Sequence, residues 1–192
     1  MAWCDSNDVF RVDSSYKKMN RIIILTPLII LLVICIFLLT YLLSGKDPSK
    51  PPSALLNKDV PYFESSSLYN SKEIINTKNI KNKKTLINFF ASWCSPCKIE
   101  HPLFFEIRKK YPDLYLLGFN HKDPMPDAKK YLDDDGNPYH FVGVDSDGLI
   151  ALEFGVFGLP ETYLINEDGK IIYKFMGPLT KEILKNEIEP LL

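Results

Sequence analysis

The sequence predicts an α/β sandwich built on a mixed β-sheet, preceded by one membrane-spanning helix. Three observations carry that prediction. Ile22 to Leu43 (IIILTPLIILLVICIFLLTYLL) runs 22 residues without a charge, enough to cross a bilayer as a helix. Thr85–Phe90, Pro96–Tyr111 and Leu114–Phe119 read as strand, helix and strand, a β-α-β unit with a parallel pair. Glu161–Ile165 and Lys170–Phe175 then read as a hairpin, followed by a helix that starts at Thr180.

Composition fits this picture. The chain has 192 residues, room for one ordinary domain and an appendage. Its 46% hydrophobic and 24% charged residues are those of a globular protein. The formal charge is +1 up to Gly45 and -2 beyond it, so neither part has the basic excess of a nucleic-acid binder.

Taken in order, residues 1–21 are polar and read as a short cytoplasmic N-terminus. Met19 stands just before Arg21, so a chain starting there would begin as a compact signal anchor. The span 22–43 is long for the apolar part of a cleaved signal peptide, and no A-x-A site follows it. A lipoprotein signal would need a small residue before Cys35, where Ile34 stands. The span therefore reads as an uncleaved anchor. Arg11, Lys17, Lys18 and Arg21 precede it, which puts the N-terminus in the cytoplasm and the rest outside. Residues 44–54 (SGKDPSKPPSA) read as an extended tether. The exported domain is 55–192.

Within that domain, Val60–Phe63 reads as a short edge strand, an N-terminal β extension, with Pro61 tolerated at an edge. The Asn/Lys run from Asn76 to Lys84 reads as a solvated turn. After the β-α-β unit, Pro126–Asp135 reads as a helix, Phe141–Val144 as a short strand and Leu149–Phe154 as a short helix. Asn166–Gly169 has the composition of a hairpin turn. The last helix carries Ile183, Leu184 and Ile188 on one face.

The chemistry lies in Trp93-Cys94-Ser95-Pro96-Cys97, where a buried strand meets a helix. A cysteine at a helix N-terminus faces free backbone N–H groups and the positive end of the dipole. Its pKa falls to ~3.5–7.5 in such settings. Cys97, three residues on, lies on the same face, so the two sulfurs can close a redox-active disulfide. Cys94 thiolate would attack a substrate disulfide, and Cys97 would then attack Cys94 and release the reduced substrate. Pro96 suits the first helical turn, and Trp93 shields the site. Glu100, one turn after Cys97, is the first candidate base; on position alone it reads equally as a solvated helix charge. A zinc site would need two more ligands, and His101, His121 and His140 are scattered. Haem attachment would need His at 98, where Lys stands. No metal or cofactor is expected. Cys4 and Cys35 fall in the tail and the span, out of reach of the pair.

A second feature is Gly155-Val156-Phe157-Gly158-Leu159-Pro160-Glu161-Thr162. Its glycines permit an unusual turn. Pro160 reads either as a plain loop-to-strand proline or as a cis-proline that turns the backbone of Leu159 toward an extended substrate chain.

With these residues in hand, the chain resembles the thioredoxin superfamily, and closely its membrane-anchored cytochrome c biogenesis branch, the DsbE/CcmG family. The matching stretches are INFFASWCSPCKIEHP (87–102), GFNHKD (118–123), GNPYHFVGVDSDG (136–148) and GVFGLPETYLINEDG (155–169), and the likeness covers roughly residues 55–192. The resemblance implies a thioredoxin-like fold with a central insertion within 120–154. It implies a cis Pro160 beside Cys94 and Glu100 as the acidic residue near the site. It further implies that Glu161 lines a substrate groove with Trp93, Pro96 and Leu159. It implies reductive activity in an oxidising compartment, with the catalytic domain on the periplasmic side of a bacterial inner membrane. Electrons would come from a membrane thiol-disulfide donor and go to the CxxCH disulfide of apocytochrome c or to a maturation thiol protein. Asn88 stands where ordinary thioredoxins carry a buried acid, which favours Glu100 as the base. A general exported reductase, or a metal or haem carrier, would use the same cysteines.

Overall fold

The computed structural model describes residues 25–41 and 55–192. The chain divides into two compact units, Met1–Pro48 and Ser49–Leu192. In the first, α1 (25–41) is a helix with exposed side chains throughout. Among the described residues no helix is long and apolar enough to cross a membrane. The predicted span 22–43 is described only over α1, and the tail 1–21 and the tether 44–54 lie outside the described residues.

The second unit begins with a two-stranded antiparallel hairpin, β1 (Glu64–Ser66) and β2 (Ile74–Asn76). Then follow β3 (Thr85–Phe90), α2 (Ser95–Lys110), β4 (Tyr115–His121), α3 (Met125–Asp135), β5 (Phe141–Asp145) and α4 (Leu149–Glu153). The chain closes with β6 (Glu161–Ile165), β7 (Ile171–Met176) and a helical segment opening with α5 (Lys181–Ile183). The main sheet has the order β5-β4-β3-β6-β7. β3 runs parallel to β4, and β4 to β5, while β6 and β7 join antiparallel. This is the predicted mixed sheet with helices on it.

Three expectations needed correction. The edge strand lies at β1, not at Val60–Phe63. The Val60 N–H instead meets the Gly169 carbonyl at 2.8 Å, and Asp59 bridges Lys170. Pro61 has no N–H to continue a ladder, so pairing resumes only after it. The polar run read as a turn opens on the end of β2 and a 3₁₀ turn, Thr77–Ile80. Asn76 and Asn79 form a reciprocal cap on that turn, and the fully buried Ile80 anchors it. The last helix is not uniform: after α5 it widens into a π turn (Leu184–Ile188) and tightens into 3₁₀ (Glu189–Leu191). Thr180 caps it as predicted, accepting from the Ile183 N–H.

Strand alternation divides the core into two layers. Leu86 and Phe90 of β3 face α2, α3 and the C-terminal segment, where Phe104, Ile107, Leu132, Leu184 and Ile188 gather. Ile87 and Phe89 face the other way, toward Phe63, Ile80, Phe119, Phe154 and Tyr163. All six residues of β3 are buried, as expected of a central strand covered on both faces.

One row across the sheet sets up the site. Asn88 stands opposite Thr162 of β6 on one side and Gly118 of β4 on the other. Gly118 has no side chain to fill its place, and the ring of Tyr139 lies there, stacked on Phe90 at 5.1 Å. A Cβ at Gly118 would come within 2.9 Å of both rings. The Gly118→Ala protein should therefore be destabilised by about 1–3 kcal/mol, the usual cost of overpacking a filled core, measured by urea unfolding.

Candidate active site

β3 ends at Phe90, and the chain crosses Ala91–Trp93 before α2 begins. Cys94 is the N-cap of α2, in extended backbone, and its Sγ accepts from the Cys97 N–H at 3.2 Å. An N-cap oxygen usually satisfies such an orphan donor; here sulfur does. The two cysteines form a disulfide with Cα atoms 5.3 Å apart, and both are buried. Pro96 sits exposed in the first turn. Trp93 is 60% exposed, and its indole N–H reaches the Lys122 carbonyl at 3.3 Å.

The turn before Cys94 is tied to the end of β4 by Asp123, a residue quoted in the sequence only as part of a motif. Its buried carboxylate accepts from the Ser92 N–H (2.7 Å), the Ser92 hydroxyl (2.8 Å) and the Asn120 amide (2.8 Å). Beside it, Ser92, Lys98, Asp127, Lys130 and Tyr131 line a shallow pocket of about 290 Å³ between α2 and α3.

Glu100 is not a solvated helix charge; it is 1% exposed. Its Oε1 accepts from the Asn88 amide at 2.8 Å, and its Oε2 from the Leu179 N–H at 2.6 Å. Asn88 also donates to the Thr162 hydroxyl at 3.0 Å and accepts from the Tyr139 hydroxyl at 2.8 Å. No cation appears among these partners. Burial penalises the carboxylate more than its two hydrogen bonds favour it, and the pKa is pushed up to about 8. Burial likewise drives the Tyr139 phenol well above its ordinary range. Next to Glu100, His101 points elsewhere: its Nε2 lies 2.9 Å from the Gly136 carbonyl, and burial lowers its pKa.

The second feature arrives by register. Phe89 pairs with Glu161 in the antiparallel β3–β6 ladder, so Pro160, one residue earlier, stands at the end of β3 from which the cysteine turn leaves. The Leu159–Pro160 bond is cis. Leu159 is half-buried and packs on the core cluster that holds Cys94 and Cys97. Phe157 projects from the same loop, 83% exposed.

Glu161 required correction. It lines no surface groove, because alternation turns it to the face opposite Thr162, where it is 1% exposed. Its Oε1 accepts from the Phe157 N–H at 2.8 Å, and its Oε2 lies 2.7 Å from the Tyr163 hydroxyl and 3.1 Å from Lys174 Nζ. Lys174, missed in the sequence, also donates to the Gly155 carbonyl at 2.7 Å and lies over the Phe157 and Tyr163 rings. Glu161 and Lys174 thus hold the proline loop from beneath. The period-two position of Glu161 in its strand was the available signal.

The structure therefore gathers Cys94, Cys97, Trp93, Pro96, Leu159 and Pro160 at one end of the sheet, with Glu100 below them. Among the described residues no group of three or more His, Cys, Asp or Glu side chains is arranged to hold a metal ion. A thiol pair at a helix start above a buried acid of high proton affinity is equipped for thiol–disulfide exchange.

Known proteins agree. The Redoxin family model matches residues 56–192. The thiol:disulfide interchange protein DsbE of Pseudomonas aeruginosa is 36% identical over 173 residues, covering 90% of this chain and 94% of that protein. The protein of the same name from Escherichia coli K12 is 37% identical over 177 residues, covering 90% and 95%. Among solved structures, StoA from Bacillus subtilis superposes with a TM-score of 0.55 at 27% identity, over 66% of this chain and 95% of that one. A thiol-disulfide oxidoreductase from Bacteroides fragilis shares the fold at a TM-score of 0.58 and 24% identity, over 70% and 100%.

The raised pKa of Glu100 has a consequence for stability. The unfolded carboxyl titrates near 4.5 and the folded one near 8. Between those values the native state holds the extra proton, so stability falls as pH rises, by roughly 1 kcal/mol per pH unit. Urea unfolding of the disulfide form between about pH 5 and about pH 8 should show that decline, and Glu100→Gln should flatten it.

Proposed function

The chain belongs to the Redoxin family, among the DsbE-type thiol:disulfide interchange proteins, and we propose that it reduces disulfides for cytochrome c maturation from the outer face of a bacterial inner membrane. The observation that carries the reductive reading is Glu100, buried one turn beyond Cys97 with a pKa near 8. An acid so placed takes the proton that the buried Cys97 must lose. The anchor reading is supported by the uncharged run 22–43 and the basic residues before it. The cytochrome reading is supported by the family.

The cycle starts from the dithiol. Cys94 thiolate, favoured by the helix N-terminus and the Cys97 N–H, attacks one sulfur of the substrate disulfide. That S–S bond breaks, and the leaving substrate sulfur departs as a thiolate and takes a proton from water. Cys97 then gives its proton to the Glu100 carboxylate and attacks the Cys94 sulfur. The mixed disulfide breaks, the second substrate sulfur leaves as a thiolate and takes a proton from water, and the Cys94–Cys97 disulfide remains with the Cys97 proton on Glu100, which hands it back when the pair is reduced. The substrate gains two electrons and the protein loses two. A membrane thiol donor returns the pair to the dithiol by the same exchange in reverse. Leu159, half-buried against the cluster that holds the cysteine pair, offers backbone to an extended substrate segment, and Trp93 and Pro96 border it.

Cys97→Ala blocks the second step, so the variant expressed in a host should accumulate mixed disulfides through Cys94. Apocytochrome c or a maturation thiol protein in that trap supports the proposal, while unrelated envelope proteins alone would make the chain a general reductase. In the purified protein, release of the mixed disulfide should quicken as pH rises through about 8. Glu100→Gln should slow that step by ~10²-fold, the low end of general-base effects, and remove the inflection; stopped-flow fluorescence reads both.

A further inference from the structure

We propose that Tyr139 is a positioning residue for the exchange reaction: its hydroxyl fixes which end of the Asn88 amide faces Glu100 and so holds down the proton affinity of that acid. The proposal rests on the reading of Glu100 as the base for Cys97.

Donors and acceptors around Glu100 constrain its partners. The Leu179 N–H can only donate, so Glu100 Oε2 always accepts. Oε1 has one partner, the Asn88 side chain. An amide can turn either its NH₂ or its oxygen toward that atom. NH₂ suits a carboxylate, and oxygen suits a protonated carboxyl that must donate. The Thr162 hydroxyl accepts from Asn88 here at 3.0 Å but can rotate to donate, so it is neutral between the two. Tyr139 decides. Its phenol, buried, keeps its proton and donates to Asn88 Oδ1 at 2.8 Å; a turned amide would leave that buried proton facing NH₂ and without an acceptor, so the NH₂ is committed to Glu100.

The three groups then form one line of donation, from phenol to amide to carboxyl. Each bond in such a line polarises the next, and the gain is largest when the final acceptor is charged. The phenol therefore favours the ionised acid without touching it. The other groups around Glu100 do not compete for this role. Cys97 lies on its own helix, and Tyr131 comes from α3, with its phenol also driven upward by burial and by Glu100. His101 turns to Gly136, while Asn88, Thr162 and Leu179 carry no charge. Glu161 and Lys174 lie across the sheet on the opposite face.

Fold placement makes the contact. Tyr139 reaches Asn88 only because the next position in the row, Gly118, lacks a side chain, and because stacking on Phe90 holds the ring flat there.

The test uses the full-length protein and four pH profiles of mixed-disulfide release: unaltered, Tyr139→Phe, Glu100→Gln and the two substitutions together. Tyr139→Phe should move the inflection up by about one pH unit, a tenfold change in proton affinity. Tyr139→Phe added to Glu100→Gln should move nothing further. An inflection that stays in place or falls in Tyr139→Phe, while Glu100→Gln abolishes it, overturns this proposal alone. An inflection that survives Glu100→Gln overturns the base reading and this proposal with it. A second measurement needs no folded variant: in the unaltered protein the Asn88 side-chain NH₂ resonances should shift with the Glu100 titration, and resonances that do not move through that range overturn the proposal.

Discussion

A carboxyl group shut away from water, with neutral partners only, sets the electrostatics of this site. Glu100 sits beneath the first turns of α2, between Asn88 of β3 and the backbone at Leu179. With no cation to offset burial, it holds its proton across most of the neutral range. That is costly for stability above the ordinary carboxylate range. On the proposed cycle it is useful, one helical turn from a thiol that must be deprotonated on demand. The rest of the site serves this arrangement. The helix start brings Cys94 and Cys97 together, the sheet supplies the neutral dipoles, and the segment at Leu179 closes the chamber.

The proline loop shows the opposite electrostatic solution. Glu161 and Lys174 are both buried, with side chains 2% and 8% exposed, and they lie 3.1 Å apart. Each has further polar partners, which is the condition under which a buried pair offsets its desolvation. Their work is mechanical: the carboxylate fixes the Phe157 N–H and the ammonium fixes the Gly155 carbonyl. The backbone that leads into Leu159 and Pro160 is thus held at two points, Gly155 and Phe157. One layer of the sheet thus supports a tunable acid and the other a rigid clamp, and strand alternation keeps the two from sharing charge.

Local sequence patterns made much of this legible. The cysteine pair, its strand-to-helix setting, the β-α-β unit and the closing hairpin all follow from short-range periodicity and turn composition, and the structure places them where those patterns put them. What stayed hidden depends on partners distant in sequence. The burial of Glu100 is set by Leu179, and its bonding by Asn88. The inward turn of Glu161 follows from period two in β6, but its buried partner, Lys174 of β7, lies across the hairpin and is not announced by that period. β2 and the 3₁₀ turn were masked by the polar residues around them, because three-residue strands and single turns are stabilised by caps and one buried side chain, here Ile80, and not by an amphipathic stripe.

The placement of the acid on a helix, with an amide on the strand, has a further physical meaning. A strand residue buried on both faces cannot change its surroundings without shifting its neighbours in the ladder. Asn88 is such a residue, paired in register with Gly118 and Thr162, and being uncharged it presents the same framework before and after a proton moves. The charge change falls instead on Glu100, whose second oxygen is held by a single backbone N–H from an irregular segment. One rigid neutral group and one backbone donor hold the carboxyl in place. Its proton affinity is then set by the orientation of dipoles around it, and those are fixed by the sheet. The buried row Gly118–Asn88–Thr162 is thus where packing is converted into acid strength and, on the proposed cycle, acid strength into the ease with which Cys97 releases a substrate.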